Sequence, residues 1–166
     1  MKTLTLVRHA KSSWKDTSLA DRDRPLNKRG KNDAPDMGRR IAAAGIRPSL
    51  IVSSPAKRAW TTAKFIADAI GYPREFLQRD STLYLASVDD ILDVVAAQDV
   101  AFNSLMLVGH NPGFTAFANY LVPGLTNNVP TAGVVSVELD SDDWSLYDRP
   151  DVELLLYDFP KNRSQT

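Results

Sequence analysis

The feature that most constrains this chain is a repeated pattern in which a short, continuous apolar run is followed by a longer amphipathic segment. Runs that are apolar at nearly every position are typical of strands covered on both faces, whereas the longer segments keep the 3.6-residue spacing of helices. This alternation predicts a three-layer α/β/α sandwich around a mostly parallel central sheet. The apolar runs cover residues 4–7, 50–52 and 105–108.

The longer segments predict four helices. The first is expected over residues 28–44, where Pro35 should kink the helix or delay its start. The second should begin at Ser54 and Pro55, because serine is a good N-cap and proline fits the first helical position. Two further helical patterns cover residues 88–95 and 114–121, and two later strands, whose direction the pattern does not fix, cover 134–139 and 152–157.

Length and composition favour one compact domain. The 166 residues, 43% of them apolar, can bury one core, so we expect a single domain over residues 1–160 and a frayed tail over 161–166. Lysine plus arginine and aspartate plus glutamate both number 20, so no net basic field favours nucleic acid. No apolar run approaches the roughly 20 residues of a membrane span. We expect a cytoplasmic protein without nucleic-acid or membrane partners; the sequence specifies no oligomeric state.

The available chemistry is narrowed by the absence of cysteine. It excludes disulfides, thiolate nucleophiles and cysteine-based zinc sites. A metal site on the two histidines, His9 and His110, is disfavoured as well, since no clear third ligand accompanies them and the Arg8 guanidinium would oppose a bound cation. Any chemistry must therefore use His, Asp, Glu, Ser or Arg.

Three loops carry polar residues directly after the apolar runs. The first run ends in Arg8 and His9, the second in "SSPAKR", and the third in "GHNPG". Ligands of open α/β sheets bind beyond the carboxyl ends of the strands. If the three strands are parallel, both histidines should meet Arg8 and Arg58 in one pocket.

Two interpretations of this pocket follow from its residues. His9 could be a hydrogen-bonded residue with a purely structural role at a strand end. It could instead attack phosphorus through a neutral imidazole nitrogen, while Arg8, Arg58 and His110 neutralise the phosphoryl oxygens. The "SSP" turn also has a structural and a functional interpretation. It could serve merely as a helix cap, or it could form part of an anion site together with Arg58.

Four motifs, "LVRHAKSSW", "RPLNKRG", "SSPAKRAWTTA" and "VGHNPG", resemble in order and spacing the histidine phosphatase superfamily, which has the phosphoglycerate-mutase-like fold. The short length and "DRDRPLNKRG" look most like its SixA-like branch of phosphohistidine phosphatases. The resemblance implies that His9 becomes phosphorylated, that Arg8 and Arg58 bind phosphate, and that His110 holds a phosphate oxygen while protonated. It places Arg24 near the pocket and implies neither a metal nor an organic cofactor.

Other candidates near the pocket have two interpretations each. Ser12 and Ser13 could contact phosphate or substrate, or cap a turn; Arg24 could equally be a cation of a surface loop. Many family members carry an acid that protonates the leaving oxygen, yet the matching segment "STLYLASVDD" has no carboxylate before Asp89. Asp21 is the candidate replacement, although in the charge-rich "DRDR" loop it can also be simply solvated.

A missing acid bears on the choice of substrate. Alkyl phosphate esters gain typically about 10²–10⁴-fold from a general acid, whereas phosphohistidine loses an imidazole, a comparatively stable base with a pKa of about 6.5. We therefore predict a metal-independent phosphatase with a phosphohistidine enzyme intermediate, acting on protein phosphohistidine. The alternatives are a phosphomonoesterase for a small phosphorylated substrate, using the same pocket, and a low-turnover phosphate-binding pseudoenzyme. A mutase is less attractive for so short a chain.

Overall fold

The computed structural model describes residues 1–162, so most of the tail expected over 161–166 lies outside the described residues. Six strands form one sheet, and four α-helices cover it. The strands are β1 (Lys2–Arg8), β2 (Leu50–Ser53), β3 (Gln78–Arg79), β4 (Ser104–Gly109), β5 (Val134–Leu139) and β6 (Val152–Asp158). The helices are α1 (Lys28–Ala43), α2 (Lys57–Ile70), α3 (Val88–Ala96) and α4 (Gly113–Leu121).

The sheet has the strand order β3-β2-β4-β1-β5-β6. Strands β1 to β4 pair in parallel, and β5 is antiparallel to both β1 and β6. Within the described residues only β5 therefore runs against the others, which confirms the mostly parallel sheet. The register of β1 on β4 sets Arg8 opposite Gly109, so His9 and His110 leave neighbouring strands side by side.

Two buried clusters separate the three layers. On one face of the sheet, α1 and α2 pack through residues such as Met37, Ile41 and Ile66. On the other, α3 and α4 pack through residues such as Ile91 and Phe117. The α/β/α architecture predicted from the alternating pattern is thereby confirmed. No helix in residues 1–162 has both the length and the apolar character needed to cross a membrane.

Two local expectations are corrected. Helix α1 begins at Lys28, with the Asn27 side chain accepting a hydrogen bond from the Gly30 amide at 2.9 Å, and it continues past Pro35, so the delayed start is wrong. Helix α2 does not begin at the serine-proline pair: its N-cap is Ala56, and no side chain caps it. Strand β3 consists of two exposed residues, so no apolar pattern in the sequence predicts it.

Candidate active site

The carboxyl ends of β1, β2 and β4 hold the three polar loops together. The His9 amide donates to the carbonyl of Gly109 at 3.0 Å, and the Ser54 amide donates to the carbonyl of Val108 at 2.9 Å. A cavity of about 420 Å³ opens at this edge of the sheet. All the candidate site residues except Ser13 line it, together with Lys11, Trp14, Tyr84, Leu85, Asn111 and Thr131.

His9 is held as a neutral imidazole with one nitrogen free. Its Nδ1 lies 2.7 Å from the carbonyl oxygen of Ala10. Because a carbonyl only accepts, Nδ1 carries the proton and Nε2 keeps its lone pair. Burial lowers the pKa of His9 to about 3, and the nearby charges of Arg58 and Arg8 act in the same direction. The ring therefore has the protonation state and the tautomer of a nucleophile at neutral pH.

Two arginines flank His9 with part of their hydrogen-bonding capacity unused. Nη1 of Arg8 donates to the Val129 carbonyl at 2.9 Å, and Nη1 of Arg58 donates to the Asp21 carbonyl at 2.7 Å. Within residues 1–162, the Nε groups of both arginines are buried without a hydrogen-bond partner. Buried donors normally have partners, and the oxygens of a phosphoryl group would suit these two.

His110 is oriented by a serine on the neighbouring loop. Nε2 of His110 lies 2.8 Å from Ser54 Oγ, and Nδ1 lies 3.4 Å from Arg58 Nη2. Since a guanidinium only donates, Nε2–H of His110 points to Ser54. Burial, followed by the charge of Arg58, lowers the pKa of His110 to about 4, so this ring is neutral in the structure. Ser54 also accepts from the Ala56 amide at 3.2 Å, so it positions His110 and forms a local turn instead of capping α2.

Asp21 lies in the pocket as part of a charged cluster. Arg24 donates to its Oδ1 at 3.2 Å and to Ser12 Oγ at 2.6 Å, Arg58 donates to its Oδ2 at 3.0 Å, and the Tyr84 hydroxyl donates to Oδ2 as well. The Tyr84 hydrogen bond, with those from the arginines, lowers the pKa of Asp21 to about 2. Asp21 is therefore ionised in this arrangement. Its role as general acid stays a prediction, which this low pKa disfavours.

The structure separates the remaining candidates. Arg24 is buried at the pocket and is not a cation of a free surface loop. Ser12 lines the pocket, but Ser13 faces a neighbouring groove. Trp14 is 67% exposed at the rim, where the Arg24 guanidinium stacks 3.6 Å from the ring centroid. The role of Tyr84 has no local signal in the sequence, because its contact with Asp21 joins residues 63 positions apart.

The fold and the pocket define a class of protein: an α/β protein with a candidate anion-binding pocket at the carboxyl edge of its sheet and a histidine as the candidate nucleophile. The sequence profile of the histidine phosphatase superfamily (branch 1) matches residues 4–79. An uncharacterized chloroplastic protein of Arabidopsis thaliana is 31% identical over 151 residues, 85% of this chain and 68% of that protein. The chain belongs to the histidine phosphatase superfamily.

Within this superfamily, the structural similarity is to the SixA-like branch. The crystal structure of a candidate phosphohistidine phosphatase, SixA, from Agrobacterium tumefaciens has a TM-score of 0.82 and 28% identity, over 96% of this chain and 98% of that one. A 2,3-bisphosphoglycerate-dependent phosphoglycerate mutase of Brucella ovis is 36% identical over 84 residues. That match covers 49% of this chain and only 41% of the mutase. The similarities support a phosphatase and agree with the predicted branch.

Proposed function

We propose that the protein hydrolyses phosphohistidine on proteins, with His9 as the nucleophile. One observation carries the proposal: a buried, neutral His9, whose Nε2 keeps its lone pair, lines one pocket with Arg8 and Arg58, and each arginine has a buried donor without a partner within residues 1–162. Asp21, the one carboxylate among the described residues that line the pocket, is ionised. The pocket thus offers a nucleophile and a phosphate clamp but no protonated carboxyl group.

In the first step, Nε2 of His9 attacks phosphorus in line with the bond to the substrate nitrogen. A new P–N bond forms as the old one breaks, and the electron pair stays on the substrate imidazole, which takes a proton from solvent. Arg8 and Arg58 neutralise the equatorial oxygens. An anion beside His110 raises its pKa from about 4, which allows the ring to be protonated while it holds an oxygen.

In the second step, water attacks phospho-His9. The P–N bond breaks, inorganic phosphate leaves with the oxygen and protons of the water, and Nε2 recovers its lone pair. The Nδ1–H bond to the Ala10 carbonyl keeps the ring in one orientation through both steps. No step in this scheme uses a metal ion.

The leaving group favours phosphohistidine over alkyl esters. An alkoxide is a poor leaving group without a general acid, and a carboxyl whose pKa is about 2 is a weak candidate for that role. An imidazole, with an ordinary pKa of about 6.5, leaves far more easily. The pocket suits P–N substrates for that reason.

The test compares kcat/KM, with a chelator present, for a protein domain phosphorylated on histidine and for a panel of phosphate monoesters. We expect the phosphohistidine domain to be preferred and the chelator to have no effect. Preference for an alkyl ester would overturn the proposal in favour of a small-molecule phosphomonoesterase. Tight binding of phosphorylated ligands without hydrolysis would establish a phosphate-binding pseudoenzyme instead.

A further inference from the structure

A second cavity, which we call the basic groove, adjoins the catalytic pocket. Its volume is about 520 Å³, larger than that of the pocket itself. No carboxylate is among the described residues that line it, although the whole chain has zero formal charge. The groove is lined by Ser13, Lys15, Pro25, Leu26, Asn27, Lys28, Arg29 and Lys31.

The pocket and the basic groove share one wall, which is formed by residues 11–15. From Ser12 to Lys15 the side chains alternate: Ser12 and Trp14 line the pocket, as Lys11 does before them, whereas Ser13 and Lys15 line the groove. This alternation is typical of an extended chain, whose successive side chains point to opposite faces. An antiparallel bridge between Ser12 and Leu26 ties the segment to the chain that leads into α1.

Helix α1 fixes the floor of the groove against this wall. The Ser13 amide donates to the Pro25 carbonyl at 2.8 Å, and the Asn27 amide donates to the Lys11 carbonyl at 3.0 Å. Gly30 lets the first turn of α1 approach closely, since a Cβ there would lie 2.2 Å from the Lys11 carbonyl oxygen. The groove and the pocket therefore keep a fixed spacing.

The cations of the groove are free to bind an external anion. Lys15, Lys28 and Lys31 are exposed, and none of them takes part in a salt bridge within residues 1–162. Arg29 is paired with Asp33 at 3.3 Å, and Asp33 does not line the groove. The amino end of α1 adds partial positive charge to the same place.

We propose that the basic groove binds an acidic segment of the phosphoprotein whose phosphohistidine enters the catalytic pocket; this inference rests on the proposed function. A small phosphorylated molecule would occupy the pocket alone, because the wall separates it from Lys15, Lys28 and Lys31. A protein extends across the wall, so its residues beside the phosphohistidine reach the groove. Trp14 and Leu85, 67% and 56% exposed at the pocket rim, offer apolar contact to such a surface.

The test uses the variant Lys15→Glu/Lys28→Glu/Lys31→Glu with two substrates. One is a folded protein domain whose phosphohistidine is flanked by aspartate and glutamate; the other is phosphoramidate. Reversing three charges should raise KM for the domain by about tenfold or more, with kcat unchanged, and KM should no longer rise with salt concentration. The kcat/KM for phosphoramidate should stay within about twofold, which also shows that the variant folds.

A control reverses three cations that line neither the pocket nor the groove, in Arg47→Glu/Lys64→Glu/Lys161→Glu, and should leave KM for the domain unchanged. An equal effect of both variants, or no effect of the groove variant, would overturn the proposal. So would self-association in sedimentation that only the groove variant abolishes, because a second copy would then be the occupant.

Binding separates this inference from the proposed function. The His9→Ala protein should bind the unphosphorylated acidic domain, and the three groove substitutions added to it should remove that binding. Should the native protein hydrolyse no phosphohistidine substrate, the proposed function fails, while this binding result still decides whether the groove takes an acidic protein.

Discussion

The candidate catalytic pocket and the basic groove lie on two sides of one wall and hold positive charge in different ways. In the pocket, Arg24 and Arg58 are 8% and 3% exposed and are held by hydrogen bonds to fixed partners. In the groove, Lys15, Lys28 and Lys31 are exposed on flexible stems. Fixed, desolvated cations can stabilise a transition state, whereas mobile, solvated ones mainly speed encounter and add salt-sensitive affinity. Substitutions in the pocket should therefore lower kcat, whereas substitutions in the groove should change KM and its salt dependence.

The largest effect is expected for His9→Ala. Without the nucleophile, kcat should fall by at least about 10⁴-fold, and no phosphorylated enzyme should form. Binding of the acidic domain should persist, because the groove is intact. Rapid quench with labelled substrate measures the intermediate. Continued labelling of the variant would remove His9 from its assigned role.

Next in size is Arg58→Lys, which keeps the charge but loses the planar fork. We expect kcat/KM to fall about 10²–10³-fold, equally for the phosphoprotein and for phosphoramidate. The salt dependence of KM should not change. A loss confined to the phosphoprotein would mean that Arg58 acts in docking instead of at phosphorus.

Gly30→Ala tests the shared wall. Alanine normally stabilises a helix relative to glycine by about 1 kcal/mol, but here its Cβ would lie 2.2 Å from the Lys11 carbonyl oxygen. We expect the free energy of unfolding to fall by about 1–3 kcal/mol, measured in urea. The control Asn32→Ala, at an exposed position of the same helix, should be neutral or slightly stabilising. Unchanged stability of Gly30→Ala would show that α1 does not press on the wall.

Asp21→Asn should lower kcat/KM by about tenfold, by loosening Arg24 and Arg58. Because Asp21 is ionised, we expect the same loss for aryl phosphates across a range of leaving-group pKa. The slope of log kcat/KM against leaving-group pKa is the decisive quantity. If the loss grows as the leaving group worsens, Asp21 is the general acid after all.

Acidification should destabilise the fold through the two histidines of the chain, His9 and His110, which both line the pocket. In the folded chain the pKa values of His9 and His110 are lowered to about 3 and about 4. Between these values and about pH 6.5, the ordinary pKa of histidine, the unfolded chain therefore binds more protons than the folded chain. Stability should rise with pH across this window, by on the order of 1 kcal/mol per pH unit for each histidine, and level off above it. The variant His9→Asn/His110→Asn should show a smaller slope in urea unfolding, and an equal slope would refute this cause.

Much of the fold was predictable because its signals are local. Apolar runs and helical periodicity located five of the six strands, the four helices and the mostly parallel sheet. The missing strand, β3, consists of two exposed residues and exists only because β2 offers it an edge. The start of α2 was misplaced, since Ser54 bonds to a histidine 56 positions away and also closes its own turn.

The candidate site divides in the same way. The sequence predicted that one pocket would contain His9, Arg8, Arg58 and His110, because the carboxyl ends of parallel strands lie at one edge of a sheet. Tyr84 could not, since nothing near it in sequence indicates that its hydroxyl reaches Asp21. The separation of Ser12 from Ser13 follows from an extended wall whose pairing with Leu26 no local pattern shows.

By itself, the sequence determined five of the six strands, the four helices and the residue types at the ends of the strands, since backbone preference and apolar spacing act over a few residues. The tertiary structure alone decided the protonation and the partners of those residues. Burial makes both histidines neutral, hydrogen bonds from Tyr84, Arg58 and Arg24 keep Asp21 ionised, and the shared wall separates the pocket from the groove. Desolvation and charge pairing depend on distances through space, which chain order does not contain.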